Sequence, residues 1–257
     1  MDRRVFLTSA VGFTASQAAI TQPAQNRRAR RRTQVVAFDG FPVIDSRLIA
    51  LRAEQLFPGK GDALMTAWRT RQFEYTWLRT LSGRYQDFWH TSEDALIFAA
   101  KSIGVSLDDQ SRENLMGAYL ELKAWPDVRG ALESLRAAGI RLVFLSNLTA
   151  RMLDAAVKNS GLQQFFEPHL STDRVRAYKP LPKAYEMALR AFGVAREDVV
   201  FCASASWDVA GAKWFGYPTF WVNRAGQPAE ELGVDADGVG TTLADLVSFV
   251  LGVSATE

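Results

Sequence analysis

"QVVAFDGFPVID", Gln34 to Asp45, is the stretch whose reading decides the fold. Gln34 to Asp39 reads as a buried strand in which four apolar side chains run straight into a carboxylate. Gly40, Phe41 and Pro42 then break the pattern at once. An uninterrupted apolar strand of this kind belongs to a parallel sheet covered on both faces. Further strands are predicted at 141–147, 169–172, 198–204 and 218–223. Helical periodicity fits Val128–Ala138, Ala150–Ser160, Pro182–Phe192, Asp208–Phe215 and Leu243–Leu251. This alternation predicts an α/β fold, a doubly wound parallel sheet with a Rossmann-like core. Between the first strand and Trp125, about 80 residues carry no good strand, which is far too long for a loop. They hold aromatic-rich helical segments such as "ALMTAWRTRQFEYTWLRTL" (63–81). The expected organisation is a core over 34–44 and 125–257, with a helical cap subdomain inserted at 45–124.

At 257 residues and 48% hydrophobic, the chain can bury a substantial core. Its formal charge of +2 comes from the first 32 residues, where seven arginines face one acid. The remainder holds 23 basic against 27 acidic residues, a net of about −4. No nucleic-acid partner is expected of such a domain. The opening "MDRRVFLTSAVGFTASQAAITQPAQ" pairs Arg3 with Arg4 ahead of a modest apolar run, and the basic "NRRARRRT" follows. Residues 1–33 are therefore expected to be a twin-arginine-type export signal with a basic tail, which makes the protein periplasmic. The alternative is a cytoplasmic protein with an N-terminal extension. The apolar run is too short and too rich in Ser, Thr and Gly for a stable membrane anchor. Cys202 is the single cysteine, so no intrachain disulfide can form. His90 and His169 are the two histidines; no His/Cys cluster has zinc-ligand spacing, and a serine or cysteine triad would need one of these two as its base, so neither site is expected.

In open parallel sheets the ligand site lies beyond the carboxyl ends of the strands. The residues predicted there are Asp39 after the first strand, Ser146 and Asn147 after the second, and Ser204, Ser206 and Asp208 after the fourth. Lys179 follows the third strand in "RAYKPLPKAY". A carboxylate at that rim is ionised at neutral pH and can act as a nucleophile without a base, which suits a chain almost without histidine.

The order "FD", "LSN", "YKP", "SWDVAGA" resembles the haloacid dehalogenase (HAD) superfamily. The segments "WRTRQFEYTWLRTLSGRYQDFW" and "GAKWFGYPTFWVNR" are similar to the type II L-2-haloacid dehalogenases. The resemblance covers about Val35 to Val250. It implies hydrolysis of short 2-haloalkanoic acids to 2-hydroxy acids through an ester on Asp39, with no cofactor and no metal. The partner it implies is the small halogenated carboxylic acid itself, and a homodimer is the expected assembly. By the same resemblance Lys179 stands beside Asp39, and Arg69 binds substrate or halide. Ser146 binds the substrate carboxylate, Asn147 shapes that rim, and Tyr185 is an active-site tyrosine. Asp208 holds Lys179 and activates the hydrolytic water, while Phe41, Phe73 and Trp207 wall the halogenated carbon. Two anions ~4 Å apart repel by about 4 kcal/mol at an effective dielectric of 20, so a carboxylate nucleophile and a carboxylate substrate need these cations. Ser146 and Asn147 could instead cap the helix that follows them.

The chain departs from this pattern at four positions. Pro42 and Val43 stand where the dehalogenases have a Gly-Thr pair, and Ala203 and Ala205 replace Ser and Asn. With three polar groups gone, water is expected to be positioned by Ser204, Ser206 or Asp208, in an active enzyme of altered preference. Two rival functions are a HAD-fold phosphatase and a non-catalytic exported protein that binds small carboxylates. Superfamily phosphatases carry a second Asp two residues after the nucleophile, and Phe41 occupies that place.

Overall fold

The computed structural model describes residues 33–252. Except for Thr33, the expected export signal and basic tail lie outside them. Among the described residues, eight strands and ten α-helices alternate along the chain. The strands are β1 (Val35–Phe38), β2 (Ile44–Asp45), β3 (Lys123–Ala124), β4 (Arg141–Ser146), β5 (Leu170–Ser171), β6 (Val199–Ala203), β7 (Thr219–Val222) and β8 (Gly238–Gly240). The helices are α1 (Gly40–Val43), α2 (Arg47–Leu56), α3 (Gly61–Leu81), α4 (Phe88–Ser102), α5 (Asp109–Gly117), α6 (Val128–Ala137), α7 (Ala150–Ser160), α8 (Pro182–Phe192), α9 (Ser206–Phe215) and α10 (Leu243–Leu251).

Six strands form one parallel sheet in the order β5-β4-β1-β6-β7-β8. The first strand is central, with Phe38 opposite Phe144 on one side and Cys202 on the other. Val35 to Phe38 are completely buried, and successive side chains enter opposite layers. Val36 and Phe38 join the cluster containing α6, α7 and α10 residues. Val35 and Ala37 join the cluster containing Tyr185, Met187 and Ala188 of α8 and Val209, Ala212 and Phe215 of α9. A period of two with both faces covered leaves no polar position within the strand, so the first polar side chain, Asp39, falls at its carboxyl end.

The structure departs from the sequence-based expectation at two places. A sixth sheet strand, β8, pairs with β7. The insert, expected to be free of strands, begins and ends in a two-residue antiparallel ribbon, Ile44 opposite Ala124 and Asp45 opposite Lys123. Two or three residues are too few to display a period of two, and β8 has glycine at both ends.

Between the ribbon strands lie α2 to α5. Trp68 of α3 is buried at their centre and donates its indole N–H to the Ser92 carbonyl at 2.8 Å. Gln72 binds Ser92 Oγ at 2.6 Å and the Tyr119 hydroxyl at 3.0 Å. The insert meets the core at Tyr178, whose backbone N–H donates to Thr80 Oγ1 (3.1 Å) and whose hydroxyl donates to the Gln86 carbonyl (2.6 Å). None of the described helices is long and apolar enough to cross a membrane.

Candidate active site

Asp39 caps α1 with an extended backbone, its side chain accepting from the Phe41 N–H. One carboxylate oxygen, Oδ1, receives two donors: Lys179 Nζ at 2.9 Å and Ser146 Oγ at 3.0 Å. The other, Oδ2, receives the long 3.4 Å contact from Phe41. A Cβ on Gly40 would lie 2.5 Å from Leu148 Cδ1 and 3.3 Å from Ser146 Oγ. Glycine therefore lets the β4 rim close on the nucleophile.

Lys179 also donates to Asp208 Oδ2. Asp208 sits in the first turn of α9, and its Oδ1 accepts from the Tyr185 hydroxyl at 2.7 Å. That contact needs Gly211, because a Cβ there would approach the Tyr185 hydroxyl and Pro180 Cβ to 2.6 Å each. The backbone N–H of Lys179 is held by Asn147 Oδ1 at 3.1 Å. Asn147 therefore acts on the lysine loop. The next helix is capped by Thr149, whose Oγ1 accepts from Met152 at 3.3 Å, so neither Ser146 nor Asn147 caps it. The hydroxyl of Ser146, expected to meet the substrate carboxylate, is directed at Asp39 and accepts from the Leu148 N–H at 3.3 Å.

Burial alone would raise the Asp39 pKa, but the Lys179 ammonium, with hydrogen bonds from Lys179, Gly40 and Ser146, holds it below the usual carboxylate range. Burial likewise opposes the charge on Lys179, and Asp208 and Asp39 together raise its pKa above the ordinary lysine value. For Asp208 burial wins: its pKa is pushed up to about 6, with Asp39 adding to the rise and Lys179 and Tyr185 opposing it. One cation between two carboxylates thus keeps the nucleophile ionised and leaves the second acid able to exchange a proton near neutrality.

Phe73 and Trp77 of α3 in the insert meet Trp207 of α9, the residue before Asp208, in an aromatic cluster. The ring centroids of Phe73 and Trp207 lie 5.2 Å apart, edge to face, and Trp77 meets Trp207 at 5.6 Å and Phe73 at 6.2 Å. Trp77 joins Phe73 and Trp207 without having been expected there, although its spacing of four from Phe73 on α3 is a usable signal. Arg69 precedes Phe73 by the same spacing, so helical periodicity puts it on that face, exposed and one turn before the aromatic pair. Phe41 is half-buried against the core cluster beside the nucleophile.

The two serines of the fourth strand end part company. Ser204 Oγ is buried and has no hydrogen-bond partner among the described residues. Ser206 Oγ donates to Glu230 at 2.7 Å on the exposed side, so its lone pairs are what it can offer to a water. The departures from the family pattern are apolar in their surroundings too. Val43 and Ala203 are core residues, and Ala205 stands at the N-cap of α9 without a side-chain hydrogen bond.

Residues 16–216 match the family model described as haloacid dehalogenase-like hydrolase. The chain belongs to this family. It is 39% identical over 215 residues to an (S)-2-haloacid dehalogenase of Pseudomonas sp. (strain YL), covering 83% of this chain and 93% of that one. Among solved structures, the L-2-haloacid dehalogenase RSc1362 superimposes with a TM-score of 0.84 at 42% identity, over 86% of this chain and 99% of that one. The L-2-haloacid dehalogenase from Xanthobacter autotrophicus, solved with chloropropionic acid covalently bound, gives a TM-score of 0.79 at 31% identity, over 87% and 100%. The haloacid dehalogenase fold expected from the sequence, a doubly wound sheet with helices on both faces, is the one observed.

Proposed function

We propose that the protein hydrolyses short 2-haloalkanoic acids to 2-hydroxy acids through an ester on Asp39. One observation carries this reading: Asp39 Oδ1 receives hydrogen bonds from Lys179 at 2.9 Å and Ser146 at 3.0 Å, while the Phe41 amide reaches Oδ2 only at a long 3.4 Å, which makes Oδ2 the attacking oxygen. Attack by Oδ2 on the halogen-bearing carbon forms a C–O bond as the C–X bond breaks, and the electron pair leaves with the halide. Water then adds to the carboxyl carbon of the ester. The charge that develops on Oδ1 is met by the Lys179 ammonium and the Ser146 hydroxyl, already in place. Asp208, with its raised pKa, accepts the proton of that water and returns it to the departing alkoxide oxygen, while the new Asp39 carboxyl loses its own proton to solvent. Phe73, Trp77 and Trp207 keep bulk water from the ester-forming step. Arg69 is the cation offered to the substrate carboxylate or halide from the insert.

The covalently bound chloropropionic acid in the 31% identical relative supports an ester route here. Halide release from 2-chloropropionate and chloroacetate, with Asp39→Asn as control, tests it. Intact mass of the protein during turnover should show the added carboxyalkyl group, and peptide mapping should place it on Asp39. Wild-type protein that binds these acids but frees no halide sinks the proposal in favour of a carboxylate-binding module.

The paired Arg3-Arg4 and the apolar run after them support export to the periplasm. Retention of an Arg3→Lys, Arg4→Lys double variant in the cytoplasm is the expected result of fractionation. A homodimer is part of the same reading, supported by Leu78 and Leu81 standing 58% and 83% exposed at the end of α3. Light scattering of the full chain reads it directly.

A further inference from the structure

The turn behind the nucleophile is bonded on two sides. Helix α1 directs amides forward, those of Gly40 and Phe41, to the Asp39 carboxylate. Its carbonyls point back, and three in succession are occupied. Phe41 O accepts from Trp125 Nε1 at 3.2 Å, Pro42 O from Arg224 Nη2 at 3.2 Å, and Val43 O from the Trp125 N–H at 3.0 Å. Arg224 is itself fixed by Asp127 Oδ2 (2.9 Å) and the Thr241 carbonyl (3.2 Å), with its guanidinium 4.7 Å from the Trp125 ring centroid. The guanidinium of Arg47 lies 4.6 Å from that same ring and is gripped by Asp45 through Nε and Nη2, at 2.6 to 3.0 Å. Asp45 and Arg47 stand where the chain enters the insert, and Trp125 where it leaves. The root of the insert and the nucleophile turn are therefore one bonded unit.

We propose that Arg224 and Trp125 are positioning residues that aim Asp39 Oδ2 and couple that aim to the seating of the helical insert. Pro42 has no N–H, so the carbonyls are the handles by which this turn can be held from behind. A guanidinium can serve three oxygens in its plane while stacking on an indole, and an ammonium cannot do both. An error of ~1 Å in an attacking atom lowers a rate by about 10²-fold. The effect on rate presupposes the dehalogenase reading, and the effect on the turn does not.

The test compares Arg224→Met, Arg224→Lys and Trp125→Phe with wild type in the full chain. The readouts are kcat and KM for halide release and amide hydrogen exchange of the peptide spanning residues 39–46. Arg224→Met and Trp125→Phe should lower kcat by about 10- to 100-fold with KM within about threefold, and Arg224→Lys should recover part of the loss. Exchange in 39–46 should quicken about tenfold while peptides of α8 keep their protection. Should Arg224→Met not fold, the two conservative variants decide. Unchanged exchange in 39–46 overturns the inference whatever the activity, and so does an undiminished kcat beside a loosened turn. A wild type that frees no halide counts against the dehalogenase reading alone, and hydrogen exchange then decides by itself whether Arg224 and Trp125 hold the turn.

Discussion

Lys179 and Asp208 form an ion pair in which both side chains are 1% exposed. The same ammonium reaches Asp39 at 2.9 Å, so two carboxylates share one buried positive charge. Taking such groups out of water is costly, and the arrangement holds because each has further hydrogen bonds: Ser146 on Asp39 and Tyr185 on Asp208.

Removing the cation should be felt in stability as well as rate. Lys179→Met leaves two facing carboxylates buried without a counter-charge, a loss of about 3–5 kcal/mol in urea unfolding at neutral pH. Adding Asp208→Asn to that variant should return part of the stability and none of the activity. A Lys179→Met protein as stable as wild type contradicts the shared-charge picture.

Asp39→Asn should lower halide release on the order of 10⁴-fold or more, since the amide is a poor nucleophile. Asp208→Asn should instead slow the second step, so the Asp39 ester accumulates and an early burst of halide is followed by a slow phase. Rapid-quench mass analysis separates the two outcomes.

The pH dependence follows from Asp208, whose pKa is raised by burial to about 6. Its deprotonated form accepts the proton of water, so kcat should fall as pH drops through about 6. Because the Tyr185 hydroxyl lowers that pKa, Tyr185→Phe should move the acid limb to higher pH. A profile that Tyr185→Phe leaves in place speaks against Asp208 as the titrating group.

Ala205 offers a gain. It occupies the N-cap of α9 with φ −86° and ψ 123° and no side-chain acceptor for the helix amides. Ala205→Asn should add about 1 kcal/mol of stability by capping, measured as a higher midpoint of thermal unfolding. No shift, or a lower one, removes the capping argument.

Much of the centre is legible in the sequence. Asp39 directly follows an apolar strand, Ser146 ends another, and Asp208 comes five residues past a third, so one-dimensional order is enough to put them at one rim. Lys179 joins them through a loop that Asn147 holds by its backbone. What stays hidden from sequence reading has a common cause. Trp125 and Arg224 touch the nucleophile turn across separations of 84 and 182 residues, and no local period announces such contacts. The Ser206 contact with Glu230 is hidden for a related reason, because Glu230 lies in an irregular stretch 24 residues on. β8 and the β2–β3 ribbon are too short to carry a period. The place of Arg69 rests on its spacing from Phe73, a helical regularity visible in both sequence and structure.

The chain passes into and out of the insert at Ile44 and Ala124, which face each other across the ribbon. Two neighbouring crossing points make a socket: a different helical module could be plugged in there without lengthening any sheet connection or shifting the lysine and serine that grip the aspartate. Any replacement must keep the Trp125 and Arg224 joint at the socket, because that joint also carries the turn of the aspartate.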